Sequence, residues 1–152
     1  MNNPLVLGPV FIPLAGAIIC LFMARSNRAQ RYLALLASTA AFATSFAVLL
    51  VNLAEGPQVY RLGGWPVPYG IVLVADMLSS GFAVMASFVS ATGFLYALKS
   101  RDKSSNYPVF FPMFLTMSAG LSGSLYTGDI FTLFVFLELM VLSSVVLVAI
   151  SD

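Results

Sequence analysis

From Ile130 to Ile150 the chain runs for 21 residues with one charged side chain, Glu138. A hydrocarbon core about 30 Å thick is crossed by roughly 20 helical residues. Lipid offers no hydrogen bonds to a backbone, so such a stretch closes its own as a helix. Glu138 stands near its middle, about ten residues and roughly 14 Å from the end that follows Asp129. An acidic residue at that depth costs roughly 2.5–3.5 kcal/mol. A chain that keeps one there needs it for proton or ion chemistry, or pairs it with a cation.

Four more apolar stretches precede it: Leu5–Ala24, Tyr32–Leu53, Ile71–Leu98 and Pro108–Tyr126. Charged residues are 9% of the chain and hydrophobic ones 60%, against about 25% charged in a soluble domain. The period-two alternation of a membrane barrel is absent. The expected fold is all-α: one polytopic membrane domain over residues 1–152, with about five transmembrane helices and a short outer hairpin-like loop. In that loop, Gln58–Leu62 and Ile71–Val74 are predicted to pair around Gly- and Pro-rich turns, with Trp65 and Tyr69 at the interface. Pro13 is expected to kink the first helix. Ser118-Ala-Gly-Leu-Ser-Gly-Ser124 sets small residues four apart, the spacing for close helix packing.

Orientation follows from the basic residues. Arg25, Arg28, Arg31, Lys99, Arg101 and Lys103 fall in two loops on one side, and Arg61 lies on the other. The positive-inside rule makes the first side cytoplasmic. Met1-Asn-Asn-Pro4 carries no Lys or Arg, so the first helix is expected to be retained, with the N-terminus outside and the C-terminus in the cytoplasm.

The chain has no His, a single Cys20 and a net charge of +1. One cysteine makes neither a disulfide nor a metal site, and no basic cluster suits nucleic acid. No phosphate-binding loop or nucleophile–base pair is present, so no cofactor and no covalent enzymology are expected. Four residues stand out. Glu138 is the proton-handling candidate. Asp76, early in the third span, heads a small polar stripe with Ser79, Ser80, Ala83, Ser87 and Ser90. Asp129 is placed to cap the last helix. Ser122 could hold water, and Asp76, Asp129 and Ser122 are candidates either for a proton path or for structure alone. All seven Lys and Arg are read in loops, so a cation for Glu138 has to come from outside these residues.

Leu62-Gly-Gly-Trp-Pro-Val-Pro-Tyr-Gly-Ile-Val-Leu-Val-Ala-Asp-Met-Leu-Ser79 and Tyr126-Thr-Gly-Asp-Ile-Phe-Thr-Leu-Phe-Val-Phe-Leu-Glu138 resemble the antiporter-like membrane subunits. These occur in Mrp-type sodium/proton antiporters, in NADH:quinone oxidoreductase and in membrane-bound hydrogenases, and the pattern is most like the D-type subunits of the Mrp antiporters. Thr132 stands where many members have Asn. The resemblance implies that Glu138 pairs with a Lys on a later helix, within a hydrated path carrying protons or sodium. It also implies about fourteen helices with two inverted repeats. These residues supply three leading helices and the first two of a repeat, so a truncated or split subunit is expected, its Lys supplied by another membrane subunit. A redox-driven proton pump and a non-transporting assembly subunit are the alternatives.

Overall fold

The computed structural model describes residues 3–23, 26–64, 70–99 and 107–151. Arg25, Trp65, Tyr69, Arg101 and Lys103 lie outside the described residues.

Among the described residues, five α-helices and one hairpin make up the fold. After a 3-10 turn at Pro4–Leu7 come helix α1 (Gly8–Phe22) and helix α2 (Asn27–Glu55). Strands β1 (Gln58–Arg61) and β2 (Val72–Ala75) follow, then helices α3 (Met77–Lys99), α4 (Phe110–Tyr126) and α5 (Ile130–Ser151). Pro4–Phe22, α2, α3 and Ile130–Ile150 of α5 are long and apolar enough to cross a membrane. Helix α4 has 17 residues, at the short end of the spanning range. Helix α1 continues through Pro13.

Two boundaries differ from the sequence reading. Helix α2 begins at Asn27, so Arg28 and Arg31 lie in its first turns and not in a loop. Asn-Arg-Ala-Gln-Arg contains good helix formers, and the Gln30 backbone N–H already bonds the Ser26 carbonyl at 3.1 Å. The third span starts at Met77, because the β-branched residues before it are taken by β2.

The hairpin is antiparallel, pairing Gln58 with Ala75 and Arg61 with Val72. It leaves β1 through Gly63 and Gly64, whose φ angles of 69° and 72° suit glycine. Asn3 donates from its backbone to the Val59 carbonyl. On the other strand, Gly128 donates to the Val72 carbonyl at 2.8 Å, and Thr127 bridges to Leu73. The chain start, the hairpin and the α4–α5 turn are thereby joined at one end of the bundle.

Helix α1 packs against both α2 and α4, α2 packs on α3, and α4 also meets α3 and α5. Val6, Val10, Val48, Leu73, Ala83 and Tyr126 form a core beneath the hairpin. Cys20, Ala34, Phe94, Phe111 and Leu115 belong to a second core toward the opposite end. Small residues set the spacing. A Cβ added at Gly16 would lie 2.7 Å from the Ala37 Cβ, and one at Gly120 would lie 2.8 Å from the Phe136 carbonyl oxygen. Helix α5 is the outermost element, resting mainly on α4.

Candidate functional site

The face of α5 toward α4 is set by Thr132, Phe136, Met140 and Ser143. Thr132 and Ser143 are buried, and Phe136 and Met140 abut Gly120. Glu138 comes two residues after Phe136, about 200° around a helix of 3.6 residues per turn. It therefore points away from α4 and is exposed on the chain. Phe134, Val141, Leu142 and Val145 surround it on the same outer surface, and all are exposed. No hydrogen bond or ion pair reaches Glu138 among the described residues. The geometry presents a lone carboxyl group on an apolar surface at mid-span.

Asp129 immediately precedes α5. Its Oδ2 accepts the Thr132 backbone N–H at 3.0 Å and the Thr132 hydroxyl at 2.9 Å. The Thr132 backbone bond first, then its hydroxyl, holds the Asp129 carboxyl below the usual carboxylate range. Thr132, whose side chain the resemblance contrasts with Asn, is thus the residue that secures this cap.

Asp76 holds a matching place before α3. Its Oδ1 accepts the Ser79 N–H at 2.6 Å, and the Ser79 hydroxyl oxygen accepts the Asp76 N–H at 2.9 Å. This is a reciprocal capping arrangement. The Ser79 backbone bond, then the Ser79 side chain, lowers the Asp76 pKa. Because β2 absorbs the residues before it, Asp76 lies ahead of the helix and not a turn and a half inside it. Of the polar stripe that follows, Ser80, Ala83, Ser87 and Ser90 are buried on α3.

Ser122 is buried within α4. Glu138 faces outward from α5, so the two do not meet. The four residues selected from sequence therefore occupy separate places: two helix caps at the hairpin end, one interior hydroxyl and one outward acid. An apolar groove of about 480 Å³ runs between α3 and α4, lined by Phe82, Met85, Ser90, Phe114 and Met117 among others. Glu138 is not among its lining residues.

Two polar residues that sequence reasoning passes over are structurally central. Gln30 is fully buried and donates from Nε2 to the Cys20 carbonyl at 2.7 Å and the Pro108 carbonyl at 3.0 Å. It ties the start of α2 to the last turn of α1 and the approach to α4. Asn52 donates from Nδ2 to the Asp76 carbonyl at 3.1 Å and to the Ser80 hydroxyl oxygen, joining α2 to α3. For Asn52 a lone amide in an apolar run is the available signal, whereas Gln30 stands among arginines, and the partners of the two lie 10 to 78 residues away.

Fold and site together define a multi-pass α-helical membrane protein with an unpartnered mid-span acid, among the described residues, on its outermost helix. No family model matches the chain. The chain is 32% identical over 148 residues to the Na+/H+ antiporter D subunit of Bacillus subtilis (strain 168), covering 97% of this chain and 30% of that protein. Among solved structures, a chain of the Mrp complex from Dietzia sp. DQ12-45-1b superposes with TM-score 0.82 at 27% identity, covering 93% of this chain and 26% of that one. A chain of the membrane-bound sulfane sulfur reductase, an archaeal respiratory membrane complex, shares the fold at TM-score 0.84 and 22% identity, covering 93% of this chain and 29% of that one. Over nearly its whole length the chain is similar to one part of the antiporter D subunit. It spans about 30% of the length of the curated relative it matches.

Proposed function

We propose that this chain acts within a multisubunit cation/proton antiporter of the Mrp type, and that Glu138 handles protons in it. The observation that carries this reading is the position of Glu138. It sits at mid-span on an exposed apolar surface, without a partner among the described residues. A carboxyl group left bare in lipid is costly, so the surface is covered in the working protein. A covering element that brings a Lys would form a charge pair there, as the family resemblance implies. The described basic residues support an outside source: Arg28, Arg31 and Lys99 lie at helix ends, and Arg61 on β1.

In this reading α1, α2 and α3 are the leading helices, and α4 and α5 open the antiporter-type repeat. The basic ends of α2 and α3 face the cytoplasm by the positive-inside rule. The hairpin, Asp76 and Asp129 face outside, and the cell membrane is the site of action. Other membrane subunits are the partners, with protons and sodium as the transported ions.

Glu138→Gln in the assembled complex tests the reading. The substitution keeps size and hydrogen-bonding atoms and removes the exchangeable proton. Transport in inverted vesicles is expected to fall roughly 10-fold or more, in line with contributions of about 10²–10⁴ from acid–base groups. Co-purification of the other subunits is expected to persist. Normal transport by the variant would sink the proposal. The likeness of fold to a respiratory membrane complex favours one second reading, a redox-driven proton pump. Co-purifying flavin or iron–sulfur subunits would select it, and small antiporter subunits the first.

A further inference from the structure

Beneath the hairpin, four polar side chains from three helices lie close together inside an apolar wall. Asn52 and Ser45 lie seven residues apart on one face of α2, Ser80 is on α3, and Tyr126 ends α4. Ser45, Ser80 and Tyr126 are fully buried, and Asn52 is 6% exposed. Val48, Leu73 and Ala83 are buried in the core that contains Tyr126.

The hydrogen-bond inventory of this cluster is incomplete in a specific way. Asn52 Nδ2 is used by the Asp76 carbonyl and Ser80 Oγ, while Asn52 Oδ1 is buried with no partner among the described residues. The Ser45 hydroxyl donates to the Ala41 carbonyl at 2.9 Å, which leaves its oxygen free to accept. Ser80 Oγ accepts from Asn52, which leaves its proton free to donate. The Tyr126 hydroxyl is a hydrogen-bonding neighbour of Ser80 and Ser45, yet it is buried with no well-formed bond among the described residues. The unmet capacities are two acceptors, Asn52 Oδ1 and Ser45 Oγ, and two donors, the hydroxyls of Tyr126 and Ser80.

We propose that these four side chains form a binding site for one internal water molecule, which locks α2, α3 and α4 together under the hairpin. Water has the complementary set of two donors and two acceptors, and a buried water typically makes about three bonds to otherwise unsatisfied groups. A monovalent cation fits worse. The four groups are neutral, and the nearby Asp76 carboxylate is exposed and committed to the cap of α3. Without a facing carboxylate, nothing offsets the loss of a cation's hydration.

The sign of one substitution separates a hydrated site from a dry one. If water bridges the cluster, Tyr126→Phe removes a bond and leaves the water short of a partner. The apparent Tm of the full chain in detergent then falls by about 2–4 °C, the shift expected for one such bond in a chain of this size. If the cluster is dry, the Tyr126 hydroxyl is an unmet buried group, and its removal raises Tm. Radiolytic hydroxyl-radical footprinting of the wild-type full chain provides the second readout. Water activated in place should modify Tyr126 despite its burial, while buried Phe94 and Phe111 stay unmodified. A rise in Tm for Tyr126→Phe would overturn the proposal. So would a Tyr126 as silent as the two phenylalanines. A wild-type Tm that rises with sodium but not choline, with the rise lost in Tyr126→Phe, would replace water with a cation.

Discussion

One methyl group at Gly120 should displace the helix that carries Glu138. The ideal Cβ of an alanine there would sit 2.8 Å from the Phe136 carbonyl oxygen, 2.9 Å from the Met140 backbone nitrogen and 3.2 Å from the Met140 Cβ. Two of these three atoms are backbone, so a rotamer change cannot relieve the contact. Ordinary contact begins near 3.4 Å, so α5 has to retreat from α4 by roughly half an ångström or more. Helix α5 rests mainly on α4, with no second wall among the described residues to hold it. Overpacking of this kind costs about 1–3 kcal/mol. For a chain of this size that is a fall in apparent Tm of about 2–12 °C. Gly81→Ala is the matched control, because a Cβ there meets nothing within 4 Å. It should be neutral or slightly stabilising, since alanine is the better helix former by about 1 kcal/mol. The assay is thermal unfolding of both variants in one detergent, with disulfide trapping between cysteines placed on α4 and α5 to follow their separation. Gly120→Ala as stable as Gly81→Ala, with unchanged trapping, would refute the helix contact as described.

Two further outcomes follow from the polar contacts. Gln30→Ala removes both bonds to the Cys20 and Pro108 carbonyls and should destabilise the chain by about 1–3 kcal/mol, read as a drop in Tm with protease cleavage rising between α1 and α2. Asp76 and Asp129 have lowered pKa values in the folded chain, so their stabilisation is present above the unfolded value near 3.9 and is lost as pH falls through the folded ones. The double variant Asp76→Asn, Asp129→Asn should therefore lower Tm at pH 7 and flatten its decline below about pH 4; an unchanged acid profile would show that neither cap contributes.

The long apolar runs and the hairpin are legible in the sequence because each is a local pattern. Lipid thickness selects the length of the runs, and β-branched residues between turn formers select strands. Among the described residues the Lys and Arg lie at helix ends or on the hairpin, and that distribution is legible too. Sequence alone places Asp76 a turn and a half too deep, because the apolarity of Ile71–Ala75 fits a strand as well as a helix start. Gln30 and Asn52 cannot be placed from sequence, because a buried amide is defined by carbonyls and hydroxyls that come from other elements.

By itself, the sequence determined a multi-pass helical membrane protein with an acid at mid-span, and carried its resemblance to the antiporter-like subunits. Only the tertiary structure decided which way that acid points. Helix α5 is apolar on nearly every side, so its own periodicity defines no inner face. The contact of Phe136 and Met140 with Gly120 supplies one and turns Glu138 outward.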